Sequence, residues 1–273
     1  MDIRLVLFDL DGTLLDAKKN ITEKNLEALR EMEARGVVLV PSTGRFYRGM
    51  PQAILDMPFR YAVTINGANV LEIASGTRIY RADIDPDTAD RVFAHLEALD
   101  DIYDCYQDDW GYMPEDRYAR AAEYVPSPPN LKMVRELRKP VKDFRAEMRR
   151  RGRPVQKIQA FFADPALRRH ELETLPSLFP GLAVTSSISN NVEINHEDAN
   201  KGAALLALCG YLGLDPAQAL AIGDGLNDTS MIRAAGVGVA MENGEPSVKA
   251  AADHVTASAD AGGFADAMRR FVL

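Results

Sequence analysis

Short runs of β-branched residues alternate with helical stretches near both ends of this chain, and this alternation constrains the fold more than any other feature. The predicted strands cover residues 3–8, 37–40 and 61–65 in the first part, and residues 219–222 and 237–240 in the last part. Thr22 and Gly36 stand where a helix between the first two strands would begin and end. Strands joined by crossover helices run parallel, so the pattern predicts a parallel sheet covered by helices.

The segment between these two regions has a different pattern. A predicted hairpin over residues 70–81 is followed by short strands near residues 102–106, 111–113 and 156–163, a proline-rich loop at residues 126–129, and helices over residues 142–151 and 165–178. Such a mixture is typical of an α+β domain. We therefore predict an α/β fold with a doubly wound, Rossmann-like parallel-sheet core of residues 1–82 and 196–273, interrupted by an α+β insertion of residues 83–195.

Composition narrows the range of partners. The net charge of -8 and the pI near 5.1 argue against nucleic acid as a partner, because surfaces that bind nucleic acid are usually basic. No apolar stretch reaches the ~20 residues of a membrane helix, and no signal-peptide pattern precedes the first strand. Cys105 and Cys209 lack the spacing of zinc ligands or of a disulfide framework. We expect a cytoplasmic protein that binds neither nucleic acid nor a membrane.

Polar clusters directly follow three of the predicted strands. Their sequences are Asp-Leu-Asp-Gly-Thr at residues 9–13, Ser-Thr-Gly-Arg at residues 42–45, and Gly-Asp-Gly-Leu-Asn-Asp at residues 223–228. In an open parallel sheet, ligands bind outside the carboxyl ends of the strands. We therefore expect the three clusters to form one site.

Asp9 and Asp11 can divide the work of a phosphoryl transfer. One carboxylate can attack phosphorus and become an aspartyl-phosphate. The other can protonate the leaving oxygen and later activate water. A solvated turn is the alternative for this pentapeptide taken alone. A calcium loop is disfavoured, because such loops place glycine sixth and glutamate twelfth, whereas Gly12 is fourth and Asn20 is twelfth when Asp9 is counted as first.

The cluster at residues 223–228 offers oxygen ligands for a metal ion. Asp224 and Asp228 carry carboxylates and Asn227 an amide, the hard ligands that Mg²⁺ takes alongside phosphate and water. Such a cation would offset the repulsion between a dianionic phosphate and a carboxylate nucleophile. An ordinary helix-entry turn is the alternative for this cluster taken alone.

Groups that suit a phosphate come from two further places. Thr43 and Gly44 offer a hydroxyl and a backbone N–H at a strand-to-helix turn, and Arg45 adds a positive charge. Lys201 stands at the start of a predicted helix, where the helix dipole disfavours a cation. This placement suggests an anionic partner for Lys201, with a plain surface lysine as the alternative.

Together these residues resemble the haloacid dehalogenase-like hydrolase superfamily, and more narrowly its Cof-type phosphatases with a large α/β cap (C2 type). The resemblance extends in order over essentially the whole chain. It includes the three clusters, residues 65–68, Lys201 with Gly202, and a tail pattern at residues 239–241, 248–249 and 252–256. The chain departs from the family at Glu242, where a glycine is frequent, and at residues 258–260, which lack a frequent asparagine.

The resemblance implies roles for individual residues. Asp9 would be the nucleophile and Asp11 the general acid and base. Magnesium would be held by the Asp9 carboxylate, the Asp11 main-chain carbonyl and Asp224, with Asp228 supporting this shell. The phosphate would be contacted by the backbone of Leu10 and by Thr43, Gly44, Lys201 and Asn227.

The function that the resemblance implies is Mg²⁺-dependent hydrolysis of a small phosphorylated metabolite, such as a sugar phosphate, pyridoxal phosphate or FMN. The insertion would be the cap that closes over the substrate and selects the leaving group. One alternative is a phosphomutase of the same superfamily, which would need cap cations such as the arginines of residues 149–153; a solvated helix end is the favoured interpretation of that run. The other alternative is a non-catalytic binding protein that keeps the fold.

Overall fold

The computed structural model describes residues 2–125, 127–186 and 188–273. The chain divides into two compact units, one made of Met1–Arg81 with Ala199–Leu273 and the other of Ala82–Asp198. We call them the core unit and the inserted unit. Within the described ranges, no helix is both long and apolar enough to span a membrane.

The core unit alternates strands and helices along the chain. Its elements are β1 (Leu5–Phe8), α1 (Glu23–Ala34), β2 (Val38–Pro41), α2 (Gln52–Leu55), β3 (Tyr61–Thr64), β4 (Asn69–Glu72), β5 (Thr77–Arg81), α9 (Lys201–Leu212), β12 (Ala219–Gly223), α10 (Thr229–Ala234), β13 (Val237–Met241), α11 (Pro246–Ala251), β14 (His254–Thr256) and α12 (Gly263–Phe271).

A parallel sheet of five strands lies at the centre of the core unit. The strand order is β14-β13-β12-β1-β2, and every neighbouring pair is parallel. All residues of β1 and β12 are buried, as expected for strands covered on both faces. Phe8 pairs with Pro41 on one side and with Ile222 on the other, so three strands end at the same level. The predicted α/β fold with a parallel-sheet core is confirmed.

The third predicted strand differs from the expectation. β3 lies in a separate antiparallel sheet of order β3-β4-β5, and its parallel link to the end of β2 is an isolated bridge between Ser42 and Val63. The prediction that residues 61–65 extend the parallel sheet is therefore wrong beyond this bridge. The reason is local: Ile65 and Asn66 adopt left-handed conformations with φ of 54° and 56°, which end the strand and turn the chain back into β4.

The inserted unit has twelve elements in its described part. They are α3 (Pro86–Glu97), β6 (Asp101–Gln107), β7 (Trp110–Pro114), α4 (Glu115–Ala119), α5 (Ala121–Tyr124), α6 (Pro128–Leu137), β8 (Arg138–Val141), α7 (Phe144–Arg151), β9 (Lys157–Phe162), α8 (Pro165–Leu178), β10 (Leu182–Thr185) and β11 (Asn191–His196). The strands form one sheet of order β10-β11-β9-β6-β7-β8, antiparallel except between β7 and β8. Helices α3, α7 and α8 contribute to one apolar cluster with residues of this sheet.

Two predictions in this unit need correction. The predicted proline-rich loop at residues 126–129 includes Pro126, which lies outside the described residues, but from Pro128 the chain is already helical. Proline suits the first turn of a helix because its φ is preset and its missing N–H is not needed there. The predicted helix over residues 142–151 begins only at Phe144, because the preceding residues form β8 and Asp143 is left-handed.

The arginines of residues 149–153 pair with acidic residues of their own unit. Arg149 contacts Asp90 at 2.7 Å, and Arg150 and Arg151 both contact Glu147, at 2.7 and 3.0 Å. Helix α7 ends here at Arg151, and the next residue, Gly152, is left-handed with φ of 57°. The run is therefore a charged helix end with intramolecular partners, and it gives no particular support to a second phosphate site.

Asp101, at the start of β6, is a buried carboxyl without good partners. Its side chain is 0% exposed, neither oxygen accepts a hydrogen bond from another described residue, and the Arg117 guanidinium is 3.9 Å away. Burial raises the pKa of Asp101 to about 8, with the Arg117 charge opposing the rise. An unfolded chain would ionise this group near its ordinary pKa of 3.8. The unfolded chain therefore loses this proton at a lower pH than the folded chain, and the free energy of unfolding falls as the pH rises from about 4 to about 8.

Replacing Asp101 by asparagine should stabilise the protein in a pH-dependent way. Asp101→Asn keeps the shape and removes the charge, so its melting temperature should exceed that of the wild type by about 3 °C or more near pH 8.5, with a smaller difference near pH 5. Thermal unfolding at the two pH values measures this. Equal shifts at both values would contradict the burial of an ionising carboxyl.

Candidate active site

The polar clusters that follow the strands lie together at one edge of the core sheet. The N–H of Asp9, directly after β1, donates to the carbonyl of Ile222 in β12 at 3.0 Å. The N–H of Ser42, directly after β2, donates to the carbonyl of Phe8 at 2.8 Å. These bonds continue the parallel ladder past the strand ends and hold the loops side by side, so the polar clusters lie together at this edge of the core unit, and their joint function stays a prediction.

Lys201 joins three loops from the first position of α9. Its side chain is 0% exposed, and Nζ donates to Asp9 Oδ1 at 2.7 Å, to Asp228 Oδ1 at 2.6 Å and to the Ser42 carbonyl at 2.7 Å. An ammonium group has three N–H donors, and here each has an acceptor. The surface-lysine alternative is thus wrong, and the two carboxylates account for a cation at a helix start where the dipole disfavours it.

Burial and crowding shift the pKa values of the charged groups around Lys201. Burial, with the Asp228 and Asp224 charges, raises the pKa of Asp9 to about 8, while Lys201 opposes the rise. Burial lowers the pKa of Lys201, but the charges of Asp228 and Asp9 outweigh it, so the net shift is upward and the ammonium form is favoured. Burial raises the pKa of Asp224 to about 6 against the hydrogen bond from Thr13. The raised pKa values of Asp9 and Asp224 show that one ammonium does not offset the crowding of these carboxyl groups.

Asp9, Asp224 and Asp228 can together meet a metal ion. One carboxylate oxygen from each lies within 4.8 Å of those of the other two. When all three carboxyl groups are ionised, the one ammonium leaves two negative charges unbalanced, and hard carboxylate oxygens are the donors that a divalent cation suits. The residues present therefore fit a metal of the magnesium type.

Asp228 binds both Lys201 and the backbone of its own loop, residues 223–228. Its Oδ1 accepts from Lys201, and its Oδ2 accepts from the N–H groups of Asp224 and Gly225, both at 2.9 Å. Both carboxylate oxygens are thus engaged by the protein itself. This arrangement fits the supporting role that the resemblance implies for Asp228 and leaves Asp9 and Asp224 as the better candidates for direct metal contact.

Gly12 and Thr13 shape the position of Asp224. The Thr13 hydroxyl donates to Asp224 Oδ1 at 2.9 Å, and Thr13 is fully buried. Gly12 has φ of 90°, and a Cβ at this position would lie 2.4 Å from Asp224 Oδ2. The contact of Thr13 with Asp224 is a positioning interaction that the sequence pattern did not single out, because a threonine after glycine is common in any turn.

Asn243 is a second site residue that sequence reasoning missed. Its Nδ2 donates to the Gly12 carbonyl at 2.9 Å, and its Oδ1 accepts from the Ala259 N–H at 2.9 Å. It therefore links the first loop to the two segments in which the chain departs from the family pattern. No spacing in the sequence marks this asparagine, because the contact joins parts of the chain 231 residues apart.

Asp11 is held by two cations. Arg45 Nε donates to Asp11 Oδ2 at 3.0 Å and Arg45 Nη2 to Oδ1 at 3.2 Å, while Lys19 Nζ lies 2.7 Å from Oδ1. Burial opposes ionisation, but the charge of Arg45 and the hydrogen bonds from Arg45 and Lys19 hold the pKa of Asp11 below its ordinary value. Arg45, predicted for the phosphate, also donates to the Gly49 carbonyl at 3.1 Å. Its phosphate contact stays a prediction, and Lys19 is a residue that the sequence pattern did not indicate.

Three of the remaining predicted phosphate residues lie around Asn66. A Cβ at Gly44 would lie 2.7 Å from Asn66 Oδ1, and Asn227 Nδ2 donates to the same oxygen at 3.0 Å. The N–H of Asn66 in turn donates to the carbonyl of Thr43 at 3.0 Å. Leu10 buries its side chain in the apolar core. Their contacts with phosphate stay predictions, but Asn66 brings three of these residues into one neighbourhood.

Comparison with known proteins identifies the family of the chain. The family model described as haloacid dehalogenase-like hydrolase matches residues 6–268. The chain is 30% identical to a 5-amino-6-(5-phospho-D-ribitylamino)uracil phosphatase of Bacillus subtilis strain 168, over all of this chain and 97% of that protein. It is 27% identical to an HMP-PP phosphatase of Escherichia coli strain 55989, over 92% of this chain and 89% of that protein.

Solved structures show the same fold. A haloacid dehalogenase-like hydrolase of Bacteroides thetaiotaomicron, 26% identical, matches with a TM-score of 0.83 over 98% of this chain and 99% of its own. A haloacid dehalogenase-like hydrolase of B. subtilis, 27% identical, matches with a TM-score of 0.82 over 99% of this chain and 100% of its own. With the family model and the phosphatase relatives, these matches show that the chain belongs to the haloacid dehalogenase-like hydrolases and is a phosphatase of that family.

Proposed function

We propose that this protein hydrolyses the phosphate monoester of a small metabolite with Mg²⁺ as cofactor and with Asp9 as the residue that carries the phosphoryl group. The observation that supports this most is the buried Lys201, which ties Asp9 Oδ1 to Asp228 and to the Ser42 carbonyl. A carboxylate fixed at one oxygen by a charged donor has its other oxygen presented in a defined direction. Attack is assigned to Oδ2 for this reason.

In the first half of the reaction, Asp9 Oδ2 forms a bond to phosphorus and the bond from phosphorus to the leaving oxygen breaks. The leaving oxygen takes a proton from Asp11, so the product departs as an alcohol. Lys201 remains on Oδ1 and offsets negative charge next to the reacting oxygen. Thr43, Gly44 and Asn227 are assigned to the phosphate oxygens as donors, and the backbone of Leu10 is assigned with them.

In the second half, water forms a bond to phosphorus and gives a proton to Asp11, and the bond between Asp9 and phosphorus breaks. Inorganic phosphate leaves, and both aspartates return to their starting states. Arg45 and Lys19 suit this half-reaction, because they favour the carboxylate form of Asp11, which can accept the proton of water. A single carboxyl thus serves as acid and then as base.

The metal site is assigned to the Asp9 carboxylate, the Asp11 main-chain carbonyl and Asp224, with Asp228 in support. When bound, Mg²⁺ supplies positive charge that offsets the repulsion between the phosphate and the carboxylates. The protein's own part is to hold Asp224 in place, through the Thr13 hydroxyl on Oδ1 and the tight Gly12 turn beside Oδ2.

The substrate class is proposed from the relatives. The B. subtilis relative is named for a phosphorylated ribitylaminouracil and the E. coli relative for HMP-PP. We propose a sugar phosphate or a cofactor phosphate, such as pyridoxal phosphate or FMN, as the substrate. The inserted unit is assigned the choice of leaving group, with residues 83–195 as a cap domain and residues 1–82 and 196–273 as the catalytic core.

Replacing Asp9 by asparagine tests the nucleophile. Asp9→Asn removes the attacking oxygen's charge, so turnover of p-nitrophenyl phosphate should fall by at least about 1000-fold. Glu33→Gln, at an exposed position of α1, is the matched control and should keep wild-type turnover. Undiminished turnover in a folded Asp9→Asn protein would refute Asp9 as the phosphoryl carrier.

Replacing Thr13 by valine tests how Asp224 is held for the metal. Thr13→Val is similar in shape but lacks the donor, so the Mg²⁺ concentration for half-maximal activity should rise by about tenfold, while Thr13→Ser should stay near the wild type. The titration is done after treatment with chelator, which should itself abolish activity. Unchanged Mg²⁺ dependence with a lower kcat would instead assign Thr13 to the chemical step.

Release of inorganic phosphate separates hydrolysis from mutase activity. The arginines that could serve a second phosphate are paired within the inserted unit, so we expect inorganic phosphate to accumulate in step with the alcohol product, without any bisphosphate activator. Conversion of a hexose phosphate to its isomer with no release of phosphate would favour the phosphomutase.

A further inference from the structure

Two consecutive left-handed residues, Ile65 and Asn66, form the turn that follows β3. Their φ values are 54° and 56°, in a region that is open to asparagine but costly for a β-branched residue such as isoleucine. The Ile65 N–H donates to the carbonyl of Arg45 at 2.9 Å. The Asn66 N–H donates to the carbonyl of Thr43 at 3.0 Å. These two bonds hold the strained turn against the loop that follows β2.

The bond from Asn66 also fixes the direction of the Gly44 N–H. The peptide between Thr43 and Gly44 is planar and trans, so its N–H points away from the carbonyl that Asn66 binds. Gly44 is partly exposed, and its N–H has no acceptor among the described residues. The turn at residues 65–66 therefore leaves this donor available to a ligand.

The Asn66 side chain reaches the loop of residues 223–228. Its Oδ1 accepts a hydrogen bond from Asn227 Nδ2 at 3.0 Å. Because an amide oxygen only accepts, the NH₂ end of Asn227 has to face it. The other end of the amide, Asn227 Oδ1, faces Gly225, where a Cβ would lie 2.7 Å from this oxygen. An NH₂ group has two N–H bonds, so one holds the Asn227 amide in place while the second can donate to another acceptor.

The hydrogen bond between Asn66 and Asn227 contributes more to orientation than to stability. Asn227 is exposed, so water could replace this bond, and its net contribution to the free energy of unfolding is small. Without it, the Asn227 side chain could rotate among several rotamers, and a ligand that needs one of them would have to order it on binding. The bond to Asn66 orders the amide before a ligand binds.

We propose that Asn66 is a positioning residue of the phosphate site, which holds the Asn227 amide so that its second N–H can donate to a phosphate oxygen. This inference rests on the proposed function, in which Thr43, Gly44 and Asn227 are donors to the phosphate. Asn66 fixes one of these donors through its backbone, at Gly44, and another through its side chain, at Asn227. Asn66 is assigned no bond to the phosphate itself.

Binding of inorganic phosphate to the protein in the presence of Mg²⁺ tests this role without turnover, with the Kd measured by calorimetry. Asn227→Ala removes a donor to a charged ligand and should raise the Kd by about tenfold or more. Asn66→Gly keeps the left-handed backbone but removes the amide that orders Asn227, so the Kd should rise by about fivefold. The double variant should bind phosphate no more than about twofold more weakly than Asn227→Ala, because Asn66 acts through Asn227.

Two further variants separate the amide from the backbone turn. Asn66→Ala also lacks the amide but has a Cβ in the left-handed region, so its Kd should match that of Asn66→Gly while its melting temperature is lower. Asp143→Gly is the matched control, because Asp143 is an exposed left-handed residue, with φ of 48°, directly before α7 in the inserted unit. The same replacement there should leave the Kd for phosphate unchanged.

The outcomes distinguish this inference from the proposed function. A wild-type Kd in Asn66→Gly, or losses that multiply in the double variant, would overturn the positioning role. A wild-type Kd in Asn227→Ala would remove the phosphate contact assigned to Asn227, and this inference with it, but would leave Asp9 untouched. Undiminished turnover in Asp9→Asn, with the coupling between Asn66 and Asn227 intact, would overturn the phosphoryl carrier and keep Asn66 as a positioning residue for phosphate.

Discussion

The buried ammonium of Lys201 is the interaction on which the rest of the site depends. It has exchanged water for two carboxylates and a carbonyl from three different loops, and desolvation of this kind is offset only when every donor finds an acceptor at good distance. The three loops follow β1, β2 and β12 of the parallel sheet. A change in the register of any one strand would leave a buried charge without its partner, so the site and the sheet stabilise one another's geometry.

Close approaches between the loops explain the pattern of glycines. Gly12 and Gly223 stand where a Cβ would lie 2.4 Å from the carboxyl atoms of Asp224 and Asp228, respectively. Gly67 has φ of 96° and passes so near the backbone of Asn200 that a side chain has no room. The carboxylates can therefore lie close together, because the neighbouring glycines have no Cβ atoms that would clash with them. The resulting excess of negative charge suits a cation, in keeping with the metal dependence of the family.

The two carboxylates of the first loop have opposite environments although they are two residues apart. Burial beside Asp224 and Asp228 raises the pKa of Asp9, whereas Arg45 and Lys19 hold that of Asp11 below its ordinary value despite burial. In the proposed mechanism Asp9 is the nucleophile beside the metal site, where a bound cation would favour its ionised form, and Asp11 gives and then takes the proton.

Sequence analysis could predict the alternation of strands and helices, the parallel core and the three clusters after the strands, because local periodicity and turn chemistry determine these features. The antiparallel pairing of β3 was missed, because nothing in the local sequence marks the left-handed conformations of Ile65 and Asn66. The helix from Pro128 was missed, because a proline at the start of a helix has the same local pattern as a proline in a loop. Lys201, Asp9 and Asp11 could be proposed from position and resemblance. Only the tertiary structure decided that Lys201 is buried on two carboxylates, that Thr13 holds Asp224 and that Asn243 holds the first loop. It also decided that Lys19 and Arg45 share Asp11. The physical reason is that these contacts join residues that only the folding of the chain, and no sequence spacing, brings within hydrogen-bond distance.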